Sequence, residues 1–353
     1  MKPGSVPPRA FESDPFDADY CRELCGRVLG PVNRHWFRPV IFGAERLPSR
    51  GPLIIASNHS GNCLPHDAIA LDSFLWTRDG ADPALKLRTV FEPALTYAWW
   101  LRPCGLDDFY RRGGGVDLTF DNFERLLERG DRVLYFPEGV PGIGKGFQNR
   151  YKLQPFHTSF LILAARHHVP VIPLYVINGE YTMPLHFTLK PLDRVMQRVW
   201  GVPFLPLPAG ILACIIPFLW FIAFPARLTF VVGEPLDVDG AFRSEGIVDA
   251  AHAPRDRVSA VAERIRQRMQ AELTQLAAIH GKRPYDVRSL VRHLRAAGRR
   301  IWSVAMTGWP VAYHRFDRDR RRAKARNRLH AIVRDWDLAL FYLPLGWPML
   351  SIA

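Results

Sequence analysis

The stretch Ser57-Asn58-His59-Ser60 closes the apolar run in GPLIIASNHS and delivers a histidine into a polar turn; Asp67 follows in the helical pattern HDAIALDSFLW. A histidine with a carboxylate behind it is a base-plus-orienter arrangement. Neutral imidazole can take a proton from a hydroxyl when a carboxylate on its other ring nitrogen fixes the tautomer. Such assistance is worth about 10²–10⁴-fold in rate. No covalent intermediate is needed if the group to be transferred arrives activated. His66, beside Asp67, is a rival base, and a histidine satisfied by local backbone groups in a Gly-bearing turn is the bland alternative.

The second chemical stretch is YFPEGVPGIGKG, residues 135–146. Its Gly139-x-x-x-x-Gly144-Lys145 spacing imitates a phosphate-cradling P-loop. Three residues argue against nucleotide binding. Gly146 stands where a Ser or Thr must reach Mg²⁺, Pro141 deletes a backbone donor, and Glu138 would set a carboxylate beside the phosphates. What remains is Glu138 and Gly139 followed by Lys145 and Arg150, with Arg111 and Arg112 upstream in FYRRGGG. Arginine forks bind phosphate bidentately and lysine adds a point charge. One of Arg111 and Arg112 is expected to be merely solvated. Phe91, Trp99 and Trp100 could line an apolar channel or belong to the core.

These residues need strands and helices to bring them together. GPLIIAS, LRTVFEP, RVLYFPEG, PVIPLYVING and ARLTFVVGEP read as strands. Between them HDAIALDSFLW, VDLTFDNFERLLERGD and FHTSFLILAARHHV carry helical periodicity with Gly or Pro punctuation. Strands alternating with helices predict an α/β layer with a largely parallel sheet flanked by helices.

Together the segments resemble the glycerolipid (lysophosphatidate) acyltransferase superfamily, in a bacterial branch. The order is an Asn-His turn with a downstream Asp (SNHSGNCLPHD), an Arg-bearing segment (FYRRGGG), a Phe-Pro-Glu-Gly block (YFPEG) and an apolar strand (PVIPLYV). The similarity covers residues 35–238, and the continuation GKGFQNRYKLQPFHTSFLILA is similar to the bacterial branch. The resemblance implies an acyl group moving from acyl-CoA or acyl carrier protein to a lysolipid hydroxyl, lysophosphatidic acid first. It implies His59 as base, Asp67 as its orienter, and Glu138 and Gly139 in the acceptor pocket. Lys145, Arg150, Arg111 and Arg112 become candidates to hold phosphate. No cofactor beyond the acyl carrier and no metal is implied. There is one departure: the family's Asp stands five residues after the His, where this chain has Leu64, and Asp67 is eight residues on with Gly61 and Pro65 between.

The 353 residues, 48% apolar and 23% charged, suit one large core or two unequal domains. Residues 1–18 read as a loose tail without a secretory signal, and 19–240 as the acyltransferase-like domain, opened by an amphipathic helix on Leu24, Val28, Val32 and Trp36. Residues 241–283 read as a linker with an amphipathic helix. Residues 284–353 form a basic, aromatic helical module, expected to be removable without unfolding the rest. Five cysteines, an odd number without CxxC, suggest reduced thiols in a cytoplasmic compartment. Residues 204–225 carry no charge, but Pro206, Pro208, Pro217 and Pro225 leave an uninterrupted piece of only about 12 Å. That is an interfacial wedge or a buried core hairpin.

Net charge is +13, and 288–334 holds fourteen Arg and Lys against two Asp. The basic run RDRRRAKARNR, followed by Leu329, Ile332, Val333, Trp336 and Leu340 at helical spacing, points to an anionic phospholipid membrane, met peripherally or monotopically at its cytoplasmic face. Trp302, Trp309, Trp336 and Trp347 sit among apolar residues, which suits a bilayer better than nucleic acid. Two other readings stand beside the leading one: an acyltransferase using a neutral lipid such as diacylglycerol or an aminolipid, and a non-catalytic lipid-binding adaptor.

Overall fold

Every residue of Leu53–Ser57 is buried. A strand apolar on both sides must be covered on both faces, which requires helices above and below a parallel sheet. The computed structural model describes residues 8–48, 50–60, 64–93, 106–200, 204, 207–250, 252–305, 309–321 and 327–344. Trp99, Trp100, Trp347, Cys63, Cys104 and residues 322–326 of the basic run lie outside them.

Among the described residues seven strands make one sheet: β1 (Val40–Phe42), β2 (Leu53–Ser57), β3 (Leu87–Phe91), β4 (Val116–Asp117), β5 (Arg132–Tyr135), β6 (Val171–Ile177) and β9 (Thr229–Val232), in the order β1-β9-β6-β2-β5-β3-β4. A separate hairpin pairs β7 (His186–Phe187) with β8 (Leu207–Pro208). β2 is central and parallel to both neighbours, with Ile54 opposite Val133 of β5 and Val171 of β6. The β6–β9 pair is antiparallel, so the sheet is largely rather than wholly parallel.

The pleat divides the core. Leu53 and Ile55 of β2, with Leu174 and Val176 of β6, join Tyr20, Leu24 and Val28 of the N-terminal helical segment 18–37 and Leu71 and Leu75 of the helix His66–Arg78. Ile54 and Ala56, with Val133 and Tyr175, face the helices Phe120–Glu128, Ser159–His167 and Arg255–His280. Each fully buried Leu or Ile contributes about 1.5–3 kcal/mol, so both layers are needed to hold β2.

Two segments read as separate are built in. The helix Arg255–His280, expected as an amphipathic helix, packs on the sheet: it buries Val258, Val261, Met269 and Leu273, and Tyr175 donates to Glu272 Oε2 at 2.7 Å. The C-terminal helices cover the outer side of the N-terminal segment, placing Tyr313, Phe316, Leu338 and Leu340 in the first core layer. Removing them would strip that layer, so this module is not dispensable to the fold. Much of its charge is also engaged. Arg27 pairs with Asp319 at 2.8 Å, Arg320 with Glu23 at 3.0 Å, and Arg334 with Asp319 at 2.9 Å; Arg318 pairs with Asp337.

The uncharged stretch divides between the two readings. The helix Ala209–Ile215 exposes Ile211, Leu212 and Ile215, and the turn Pro217–Phe221 buries Phe218 and Phe221. No helix among the described residues is long and apolar enough to cross a membrane.

Candidate active site

Three adjacent parallel strands, β5, β2 and β6, end on one edge of the sheet, and the segments leaving them carry His59, Glu138 and Glu180. Ligands in open α/β sheets bind outside such carboxyl ends. Asn58 fixes the departure of the histidine turn. Its Oδ1 accepts from Val176 N at 2.7 Å and its Nδ2 donates to Val176 O at 3.1 Å, tying the end of β2 to β6. Glu138 holds the other side: Oε1 accepts from His59 N and Oε2 from Gln154 N, both at 2.7 Å. Burial pushes the Glu138 carboxyl above its usual range, against the lowering pull of Lys145 and the two N–H groups. Both oxygens of this fully buried carboxylate are therefore committed to the backbone of the site.

Two glycines make this packing possible. Gly139 turns the chain at φ +55°, and a Cβ there would meet His157 Nε2 at 3.0 Å. At Gly142 a Cβ would stand 2.6 Å from Glu138 Cβ and 2.8 Å from His59 Cβ. Gly139 and Gly142 thus bring a short helix, Gly139–Ile143, against the histidine turn.

The His59 ring stacks on Phe136 at 4.4 Å between centroids. Its Nδ1 is buried without a hydrogen-bond partner. Burial first, then the charge of Lys145, pushes the imidazole down to about 3, so it is neutral at physiological pH. Asp67 is fully buried, and Ser60 donates to its Oδ2. The other oxygen, Oδ1, is buried and unpartnered. Burial pushes the Asp67 carboxyl upward, with Ser60 opposing. In this structure Asp67 is therefore bonded to Ser60, next in sequence to His59, while His59 Nδ1 and Asp67 Oδ1 stay unsatisfied. Ser60 itself is seated on Gly179, where a Cβ would come within 2.0 Å of its hydroxyl. The rival, His66, is buried against Phe37 with ring centroids 6.0 Å apart, and burial lowers it to about 4.

Lys145 lies inside the cluster. Its Nζ is 3.3 Å from Glu180 Oε1 with the side chain fully buried. Burial works against its charge, but Glu138 and Glu180 more than compensate and hold its pKa above the ordinary lysine range. Lys145 is thus the counter-ion of buried carboxylates. Glu180, whose Oε1 also accepts from Tyr151 N at 2.9 Å, escaped sequence reasoning. The available signal was its place directly after the Asn178-Gly179 turn that ends β6, matching Glu138 after β5.

The remaining cations separate cleanly. Arg112 donates to Asp17 Oδ2 at 2.7 Å and lies 4.1 Å over the Tyr20 ring, tying the helix Leu106–Arg112 to the N-terminal segment. Arg111, partly buried, and Arg150, exposed, have no ion pair among the described residues. Arg150 lies 5.0 Å over Phe147, whose ring meets Tyr181 edge-on. Phe91 packs on Tyr110, whose hydroxyl is pushed up by burial first and then by the charge of Asp67. Among the described residues no group of three or more His, Cys, Asp or Glu is gathered as a metal would require.

A family model described as Acyltransferase matches residues 38–177, a span that holds β1 through β6 and all the residues above except Asp17, Tyr20, Phe37 and those beyond β6. Residues 38–177 of this chain are thus similar to the acyltransferase family. An uncharacterized protein of Mycobacterium tuberculosis is 28% identical over 233 residues, 63% of this chain and 58% of that one. An uncharacterized protein of Mycobacterium leprae is 29% identical, again over 63% of this chain and 57% of its own. The chain thus spans less than two-thirds of the length of these relatives. The 1-acyl-sn-glycerol-3-phosphate acyltransferase alpha of Mus musculus is 24% identical over 40% of this chain and 46% of its own. A crystal structure of the 1-acyl-sn-glycerophosphate (LPA) acyltransferase PlsC from Thermotoga maritima aligns at a TM-score of 0.38 and 17% identity, covering 71% of this chain and 82% of that one. The strand order and the site geometry, not that loose alignment, carry the description of the fold.

Proposed function

We propose that this chain transfers a fatty acyl group from acyl-CoA or acyl carrier protein to the free hydroxyl of a lysophospholipid, lysophosphatidic acid first. The observation that carries the reading is two buried atoms without a hydrogen-bond partner: His59 Nδ1, in a turn that Asn58, Glu138 and Gly142 fix from three sides, and Asp67 Oδ1, on the helix His66–Arg78. Catalytic hydrogen bonds of free enzymes commonly close only when substrate binds. With Asp67 holding Nδ1–H, Nε2 is free to remove the acceptor proton. The oxygen then attacks the thioester carbonyl, the C–S bond breaks, and the thiolate leaves with the proton from His59. Acid–base assistance of this kind supplies about 10²–10⁴-fold. Lowering of His59 by burial keeps it unprotonated, and Asp67 would stabilise the imidazolium as it forms. Arg111 and Arg150 are the cations left to meet an acceptor phosphate, at the cytoplasmic face of a membrane. The similarity to the mouse 1-acyl-sn-glycerol-3-phosphate acyltransferase alpha supports this acceptor class.

A neutral acceptor is the second reading. It is favoured by the engagement of Lys145 with Glu180 and of Arg112 with Asp17, which leaves fewer charges for phosphate. The deciding experiment is an acceptor panel with labelled acyl-CoA, comparing the wild type with His59→Ala. Loss of about 10³-fold or more in kcat on lysophosphatidic acid supports the reading. Faster turnover of diacylglycerol selects the second, and full activity of His59→Ala with an inactive His66→Ala moves the base to His66.

A further inference from the structure

The exposed apolar side chains gather where two distant segments meet. The turn Trp336–Tyr342 packs on the turn Pro217–Phe221: Tyr342 stacks on Phe218 at 5.0 Å, and Leu338 and Leu340 complete the buried layer. Outside that layer the first segment shows Ile211, Leu212 and Ile215, and the second shows Ile332, Val333 and Trp336. Val333 is 70% exposed and Trp336 is 62% exposed, although the layer beneath them is sealed. Exposed aliphatic groups flanking a shared core mark an interaction surface rather than scattered surface residues.

Among the described residues, free positive charge lies on another helix, while the arginines described in the C-terminal helices are largely engaged. Arg318, Arg320 and Arg334 are paired with acids. The helix Val287–Ala297 and its following turn contain no Asp or Glu. Their Arg288, Arg292, Arg295, Arg299 and Arg300 are exposed without an ion pair among the described residues, next to Trp302, which is 80% exposed. This helix is joined to the end of the uncharged stretch through the N-terminal segment: His35 Nδ1 donates to His293 O at 2.9 Å and Trp36 Nε1 to Ala223 O at 2.8 Å. Inward, the shared layer ends at Phe221, whose backbone faces the His66 ring, one residue before Asp67.

We infer that residues 209–215, 328–336 and 287–302 form one composite docking surface for an anionic phospholipid bilayer, adjoining the catalytic cluster. The inference rests on the reading that the acceptor is a membrane lipid. Aliphatic and indole groups enter the interface while unpaired arginines meet headgroup phosphates. Each arginine near an anionic leaflet strengthens binding by roughly fivefold.

The test is sedimentation of the full chain with vesicles of phosphatidylcholine and of equal parts phosphatidylcholine and phosphatidylglycerol, across a salt series. Ile211→Ser with Leu212→Ser, and separately Ile332→Ser with Val333→Ser, should each weaken binding to both vesicles by about tenfold or more. Arg292→Ala with Arg295→Ala should weaken binding to the phosphatidylglycerol vesicles by about twentyfold and flatten the salt dependence. All three should keep wild-type turnover of detergent-dispersed lysophosphatidic acid. Vesicle binding by a wild type that transfers no acyl group would remove the catalytic reading and leave the surface standing. Unchanged binding of either aliphatic variant overturns the composite surface. So does a wild-type dimer that Ile332→Ser with Val333→Ser dissociates without affecting vesicle binding, which would make this face a contact between copies.

Discussion

Gly142→Ala adds one methyl group at a crowded point of the candidate active site. The new Cβ would meet Glu138 Cβ at 2.6 Å and His59 Cβ at 2.8 Å, where ordinary contact begins near 3.4 Å. The shortfalls are about 0.8 and 0.6 Å, and neither neighbour can swing aside because both contacts are Cβ atoms fixed to backbone. His59 is also held by Glu138 through its N–H, so the two must move together or the bond must lengthen. Overpacking of this size costs about 1–3 kcal/mol of stability. A misplacement approaching 1 Å can cost about 10²-fold in rate, or about 2.7 kcal/mol of barrier. The assay is acyl transfer from labelled acyl-CoA to lysophosphatidic acid, with thermal unfolding alongside. The control is Gly26→Ala, on an exposed helical position where a Cβ meets nothing within 4 Å. We expect kcat to fall by about two orders of magnitude with KM nearly unchanged, and the control to match the wild type. Wild-type kcat in Gly142→Ala would refute the claim that this packing places the base.

Glu138→Gln should unfold more easily by about 1–3 kcal/mol, because an amide accepts one N–H and turns its own NH₂ toward the other; unchanged denaturant midpoints would show that the clamp is dispensable. Arg150→Ala should raise KM for lysophosphatidic acid about tenfold while sparing a neutral acceptor, whereas Arg112→Ala should lower stability and leave both KM values alone; the reverse pattern would exchange their roles. His66, normally titrating near 6.5, is held at about 4 when folded, so between these values the unfolded state binds more protons and stability falls as pH falls. From pH 7 to pH 5 this amounts to at most about 2 kcal/mol. Asp67 and Glu138, both raised, act in the opposite sense in either protein, so the difference between wild type and His66→Asn isolates the histidine. An identical pH slope in the two would refute its burial as a neutral group.

The central strands were legible because a strand buried on both faces is written as an uninterrupted apolar run, and β2 and β6 are such runs. β9 was also read as a strand, in ARLTFVVGEP, but its antiparallel pairing with β6 was not legible, since strand direction leaves no mark on side-chain pattern. His59 and Glu138 stood out at strand ends followed by turns. What they touch did not: Glu138 is defined by two backbone N–H groups, and Gln154 lies sixteen residues away. Lys145 looked like a phosphate ligand because its counter-ion, Glu180, comes from the turn after β6, thirty-five residues on. The arginines of the C-terminal helices looked free for the same reason. Asp17 and Glu23 are about three hundred residues distant in sequence, and ion pairs carry no local periodicity.

The closure of the C-terminal helices over the N-terminal segment also has a meaning in time. Arg27 and Asp319 are 292 residues apart, and Asp17 and Arg320 are 303 apart. At about 5–20 residues per second of synthesis, the helical segment bearing Tyr20, Leu24 and Val28 waits roughly 15–60 s for the residues that cover it. During that interval its outer face is an apolar surface on a growing chain. Whatever shelters that face at the ribosome, a chaperone or the membrane itself, must let go when the covering helices arrive, so this segment is finished only about three hundred residues after it is made.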